Sequence, residues 1–195
     1  MAKTASKLTD VNILLGVTGG VAAYKAVDLA SRLTAGGAKV DCIMTRNARK
    51  LIRAKSFEAV TGREVFTNMW NTPTCYRIGH IALAEAADIV VVAPATANII
   101  AKTANGICDD LLSTTLCACR DKPVLIAPAM NSNMWTNPAV QKNVETIKQA
   151  GFRIIGPEVG RLACGTEGIG RMAEPDDIFK EIENIAAELK AQDTK

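Results

Sequence analysis

Aromatic side chains are scarce in this sequence, at 4 % of its 195 residues, and histidine occurs once. Hydrophobic residues nevertheless make up 48 %, so the core must be aliphatic, which suits a sheet buried on both faces. The formal net charge is only +3, and no aromatic–basic interleaving occurs, which argues against nucleic acid as a partner. No apolar run reaches membrane-spanning length, and Met1 to Asp10 is polar without a signal-peptide core. A soluble, cytoplasmic protein is expected. The six cysteines (Cys42, Cys75, Cys108, Cys117, Cys119, Cys164) contain no C-x-x-C pair, so neither zinc nor a disulfide framework is expected, and no metal site is proposed. All but Cys164 read as small buried apolar residues, and Cys117 and Cys119, two apart on a helix, point different ways. Repeats and composition breaks are also missing. One domain over 1–195 is expected, with 1–10 and 192–195 as flexible ends.

What the sequence does contain is an alternation of strand and helix patterns. Apolar strands are expected at Val11–Val17, Lys39–Met44, Ile89–Ala93, Pro123–Ala127 and Phe152–Ile155. Helical runs follow at Val21–Leu33, ended by Gly36-Gly37, at Asn47–Val60 in one or two pieces up to Gly62, and at Asn137–Ala150, stopped by Gly151. Pro175 opens a closing amphipathic helix, Asp176–Ala191. Between Arg63 and Gly79 the pattern is irregular, with Trp70, Pro73 and Tyr76, and such a stretch suits function or a subunit contact. The alternation predicts an α/β fold: a Rossmann-like (flavodoxin-like) doubly wound parallel sheet that binds ligands at the carboxyl ends of its strands.

Several polar residues fall at those ends. Thr18-Gly19-Gly20 joins the first strand to the first helix, where backbone N–H groups and the helix dipole favour a phosphate. The spacing is not G-x-G-x-x-G and no P-loop lysine follows, so a phosphate monoester fits better than a dinucleotide or triphosphate; a plain tight turn is the simpler reading. Thr45, at the end of the next strand, could reach the same phosphate. Pro94-Ala95-Thr96-Ala97-Asn98 combines small residues that admit a planar ligand with two polar contacts. Asn131 can grip a carboxylate or amide without adding charge, although Asn131 or Asn133 could simply cap the next helix, as Asp109 or Asp110 would cap an earlier one. His80 begins a helical run, where an imidazole can accept a proton or a hydrogen bond. Four glycines lie between Gly160 and Met172, which reads as a mobile lid, and Cys164 sits inside it with Arg161 and Arg171, a setting that can activate a thiol.

Taken together, Gly16-Val-Thr-Gly-Gly-Val-Ala-Ala-Tyr-Lys25, the run His80–Asp88, Ala93-Pro-Ala-Thr-Ala-Asn98, Pro128-Ala-Met-Asn-Ser-Asn-Met-Trp135 and Ala163-Cys-Gly-Thr-Glu-Gly-Ile-Gly-Arg-Met172 resemble the homo-oligomeric, flavin-containing cysteine decarboxylases. The branch acting on phosphopantothenoylcysteine in coenzyme A biosynthesis is the nearest. The resemblance implies FMN as cofactor, a phosphorylated acyl-cysteine as substrate, and a homotrimer or a dodecamer of trimers. It implies that Gly19, Gly20, Val21 and Thr45 hold the phosphate side, that Thr96, Ala97, Asn98 and Ala129 line the flavin, and that His80, Asn131 and Cys164 are catalytic. Many bacterial relatives fuse this domain to a synthetase, which for this sequence would be a separate ligase chain. A peptidyl-cysteine decarboxylase, a flavin prenyltransferase and a non-catalytic regulatory flavoprotein are the alternatives within reach of the same fold. Lys25 and Arg161 are both open as ligands of the substrate phosphate.

Overall fold

The computed structural model describes residues 7–70 and 79–193. Pro73, Cys75 and Tyr76 lie outside the described residues, as do 1–6 and 194–195 of the expected flexible ends. In chain order the first half comprises β1 (Asn12–Val17), α1 (Ala23–Ala35), β2 (Lys39–Met44), α2 (Ala48–Leu51), α3 (Ala54–Thr61), β3 (Val65–Phe66) and α4 (Gly79–Ala86). The second half comprises β4 (Ile89–Ala95), α5 (Ala97–Asn105), α6 (Leu111–Ala118), β5 (Val124–Pro128), α7 (Ser132–Trp135), α8 (Pro138–Gln149) and β6 (Arg153–Ile154). A hairpin, β7 (Glu158–Arg161) and β8 (Glu167–Arg171), then leads to α9 (Pro175–Asp193).

Strands β1 to β6 form one parallel sheet in the order β3-β2-β1-β4-β5-β6. Leaving out the two-residue edge strand β3, which the sequence reading took as irregular, this is the flavodoxin-like order. Period-two alternation divides the sheet's side chains between two apolar layers. Ile13, Leu15, Val17, Val91 and Leu125 face one way, with Leu29 and Leu33 of α1, Phe57 of α3, and Ile178, Ile182 and Ile185 of α9. Leu14, Val90, Val92 and Ile126 face the other way, with Leu83 of α4, Ile99 and Ile100 of α5, Leu112 and Leu116 of α6, and Ile147 of α8. Every residue of β4 is buried, as a central parallel strand covered on both faces requires.

Local signals set the helix ends. Asp110, not Asp109, caps α6: its carboxylate accepts from the Ser113 N–H at 2.9 Å while the Ser113 hydroxyl accepts from the Asp110 N–H at 3.2 Å. Asn137 caps α8 through the Ala139 N–H, with Pro138 in the first turn. The expectation of five buried cysteines needs correction. Cys42 and Cys119 are buried, but Cys108 and Cys117 are exposed, because Cys108 sits on the turn before α6 and Cys117 on the outer side of its last turn. Burial pushes the Cys42 thiol up to about 12 and the Cys119 thiol to about 11, so both stay protonated. Among the described residues no helix is long and apolar enough to cross a membrane, and no cluster of three or more His, Cys, Asp or Glu residues could hold a metal ion.

The larger correction concerns the glycine-rich segment. It is an antiparallel hairpin, with Glu158 opposite Arg171 and Arg161 opposite Glu167, where the sequence reading expected a mobile lid. Gly160, Gly168 and Gly170 serve close packing, and Gly165, at φ +87°, serves the turn. The Met130 N–H donates to the Gly170 carbonyl at 3.0 Å, and a Cβ on Gly170 would lie 2.1 Å from the Met130 oxygen.

Candidate functional site

The strand order reverses between β1 and β4, and the crevice beyond their carboxyl ends is where a doubly wound sheet receives a ligand. Thr18 holds the two strand ends together: its hydroxyl donates to the Pro94 carbonyl at 2.7 Å and accepts from the Thr96 N–H at 3.1 Å. The sequence marks that buried threonine only by its place between strand and glycines, and gives no sign of this bridging role. Gly19 is demanded by a neighbour, since a Cβ there would meet the Asn47 Cβ at 2.5 Å. Gly20 looks across to Pro94 and Thr96 at 3.4 Å or more, leaving its face open.

A cavity of about 940 Å³ occupies this crevice, with Gly19, Gly20, Val21, Thr96, Ala97, Ala129, Asn131 and Cys164 in its lining. Eight of the eleven residues singled out from the sequence thus converge on one space, along with Lys25, Arg161 and Arg171. The other three do not. Thr45 is turned to local work, its hydroxyl accepting from the Ala48 N–H at 3.3 Å at the start of α2. Asn98 is exposed in the first turn of α5. His80 lies in the first turn of α4, outside the cavity lining, and its Nδ1 is buried with no hydrogen-bond partner among the described residues. A buried ring nitrogen without a partner is costly in a finished site.

Asn131 caps the next helix, one of the two roles open to it, and still has its amide to offer. Its side-chain carbonyl accepts from the Asn133 N–H at 2.8 Å and caps α7, while its amide donates to the Cys164 Sγ at 3.4 Å. The cap occupies the carbonyl end, so the amide donor is the end offered to the cavity, the polarity a carboxylate needs. Cys164 is exposed at the hairpin turn and also contacts the Thr166 hydroxyl at 3.1 Å. Hydrogen bonds from the Thr166 side chain and backbone, then from Asn131, hold its thiol below the usual range, the opposite of Cys42 and Cys119. These donors favour the thiolate. Thr166→Val should therefore move the pH midpoint of iodoacetamide labelling at Cys164 upward. An unchanged midpoint would show that the contact does not tune the thiol.

Two of the three lining cations are already paired. Lys25 Nζ lies 2.8 Å from Glu174, and Arg171 lies 2.6 Å from Glu158 and 3.1 Å from Glu174. Arg161 has no ion pair among the described residues and stands exposed at the cavity.

The sequence pattern of the flavoprotein family matches residues 1–187. The chain belongs to the flavoprotein family. It is 46 % identical over 181 residues to the coenzyme A biosynthesis bifunctional protein CoaBC of Bacillus subtilis (strain 168), covering 93 % of this chain and 44 % of that protein. This flavoprotein thus spans less than half the length of the curated relatives it matches. Among solved structures it is similar to a mutant PPC decarboxylase complexed with pantothenoylaminoethenethiol, with 33 % identity, a TM-score of 0.79 and coverage of 89 % of this chain and 96 % of that one. It is equally similar in fold to the FMN-dependent cysteine decarboxylase SpaF, at 35 % identity and a TM-score of 0.80, covering 92 % and 99 % of the two chains.

Proposed function

We propose that this flavoprotein is an FMN-dependent decarboxylase that converts 4′-phosphopantothenoylcysteine to 4′-phosphopantetheine in the cytoplasm. The observation that carries the reading is the contact of the Asn131 amide with the Cys164 thiol at the edge of the cavity. On this reading an N–H donor to the substrate carboxylate and a proton donor stand side by side. The residues fit FMN: the cavity of about 940 Å³ is at the upper end of ordinary ligand pockets, begins at the α1 turn and is walled by Gly20, Ala97 and Ala129. Gly19, Gly20 and Val21 would hold the phosphate side, and Thr96, Ala97 and Ala129 the ring. Bound FMN would supply the oxidation of the substrate CH2–SH group to a thioaldehyde and return the same two electrons after CO2 has left.

Loss of CO2 straight from an N-acylated cysteine would leave an unstabilised carbanion, whereas a carboxylate β to C=S leaves as readily as from a β-keto acid. The Asn131 amide would hold that carboxylate with its C–C bond turned out of the C=S plane. Once CO2 departs, Cys164 gives its proton to the carbon that carried the carboxylate. This restores the C=S bond that takes the hydride back, so the sum is loss of CO2 alone. A thiol held below its usual range is a better acid for that step. Arg161, a lining cation without an ion pair among the described residues, is suited to the substrate phosphate.

His80 would take the substrate thiol proton from a neighbouring copy in a homotrimer, or a dodecamer of trimers. Its buried Nδ1, without a partner among the described residues, and its position outside the cavity lining support this, as do Val21, Tyr24 and Met134, apolar and exposed at the cavity rim.

The second reading is decarboxylation of another cysteine-containing substrate, such as a peptidyl cysteine, in keeping with the likeness to the FMN-dependent cysteine decarboxylase SpaF. Mass spectrometry of the yellow protein with phosphopantothenoylcysteine separates them. A product lighter by CO2 supports the proposal. One lighter by CO2 and two hydrogens moves the protein to the peptide type, and an unchanged mass with flavin bound removes the decarboxylase reading. Mixed assemblies of His80→Asn and Cys164→Ser should regain the complete cycle that neither variant performs alone if His80 acts across copies.

A further inference from the structure

The two paired cations of the cavity belong to one chain of alternating charges: Lys25, Glu174, Arg171, Glu158. Lys25 Nζ lies 2.8 Å from Glu174 Oε1, and an Arg171 nitrogen lies 3.1 Å from that same oxygen. Another Arg171 nitrogen donates to Glu158 Oε2 at 2.6 Å. The chain carries no net charge and crosses three parts of the fold. Lys25 stands on α1, just after the glycine turn. Glu174 lies between β8 and α9, and Arg171 and Glu158 are opposite partners at the base of the hairpin.

Among the described residues this chain of charges is one polar attachment of the hairpin to the body. Another is on the Asn131 side, where the Met130 N–H donates to the Gly170 carbonyl and the Ser132 hydroxyl donates to the Ile169 carbonyl at 2.6 Å. Cys164, at the hairpin turn, is thus held from α1 at one side and from α7 at the other. The Lys25 side chain is only 14 % exposed, so removing its carboxylate would leave a largely desolvated cation beside Arg171, with like charges facing each other. A glutamine at 174 keeps an acceptor oxygen but brings no charge to offset the two cations, so its hold on them is weaker.

We propose that Glu174 is a positioning residue for proton transfer by Cys164: one carboxylate oxygen, shared by Lys25 and Arg171, sets the angle of the hairpin over the cavity. It also keeps both cations occupied, so that Arg161 remains the cation available to an anionic substrate. The inference rests on the decarboxylase reading. It predicts an asymmetric defect. Asn131, which serves CO2 loss, keeps its own bond to the Asn133 N–H when the hairpin shifts, whereas Cys164 rides on the hairpin turn and moves with it.

The test uses the full-length yellow protein and its Glu174→Gln variant with phosphopantothenoylcysteine. CO2 release should stay within about two-fold, while the ratio of enethiol to reduced product rises about ten-fold, as expected when one reacting group is displaced and the other is not. Lys25→Met, which removes the link to α1 without leaving a lone cation, should shift the ratio in the same direction. A second arm needs no substrate: loss of the Asn131 contact should slow iodoacetamide labelling of Cys164 in Glu174→Gln at neutral pH. An unchanged product ratio, or equal loss of both half-reactions with flavin retained, overturns the inference. A wild-type protein that releases no CO2 sinks the decarboxylase reading instead, and the labelling arm then decides alone, with an unchanged rate counting against the positioning role.

Discussion

Cys164→Ser should release an enethiol in place of the reduced thiol, with CO2 still lost at a rate close to that of the unaltered protein. Serine keeps the size of the side chain and can keep the bonds to Thr166 and Asn131, so the hairpin turn should survive. What it lacks is acidity. A thiol already held below its usual range by those donors gives a proton to carbon readily, and a serine hydroxyl does not. The reduced product should fall by at least about 100-fold, the scale of losing a general acid. Because the wild-type cycle returns its electrons, it consumes no oxidant; the variant would need an external oxidant such as O2 for each turnover. Product mass, measured with and without air, checks both statements. Normal yields of the reduced product from the variant would remove Cys164 from its assigned role. The intact cycle should also fade as pH rises through the Cys164 midpoint, since only the thiol form can donate. CO2 release should not follow that midpoint.

Gly170→Ala should be the most damaging single-methyl change in the hairpin. The backbone there has φ of +140°, a region an L side chain rarely adopts. The new Cβ would also meet the Met130 carbonyl oxygen at 2.1 Å, and that oxygen belongs to a peptide chain with no room to retreat. The hairpin must lift from the segment 130–132, and with it goes the 3.4 Å contact between Asn131 and Cys164. Strain and overpacking together should cost roughly 3 kcal/mol, and the reduced product should fall further than stability alone explains. Gly62→Ala is the control. Its φ is +67° but nothing lies within 4 Å, so only the left-handed strain remains, about 1 kcal/mol. Thermal unfolding of both variants makes the comparison, and equal losses would mean that the close approach to Met130 is not what makes Gly170 necessary.

Much of the fold was legible because its signals are local. Apolar runs ending in Thr18-Gly19-Gly20, in Pro94 to Asn98 and in Pro128 to Asn131 mark strand ends by composition alone, and a parallel sheet collects its carboxyl ends on one edge. Caps are equally short-range, which is why Asn131, Asn137 and the Asp109-Asp110 pair could be read as helix starts. The glycines from Gly160 to Gly170 were harder, because a glycine needed for mobility and one needed for contact look the same in a sequence. Thr45 shows the same limit from the other side: its place at a strand end is legible, but that its hydroxyl oxygen accepts from the Ala48 N–H is not.

By itself, then, the sequence determined the alternation of strand and helix, the edge of the sheet where chemistry could occur, and the residue types gathered there. It could do so because periodicity, turn chemistry and capping act over a few residues. Only the tertiary structure decided that the Asn131 amide meets Cys164 from 33 positions away, that β7 pairs with β8, and that Lys25 meets Glu174 across 149 positions. It also decided that His80 stays outside the cavity of its own chain. Those contacts follow from strand order and from how closely two backbones can approach, and no local pattern carries either.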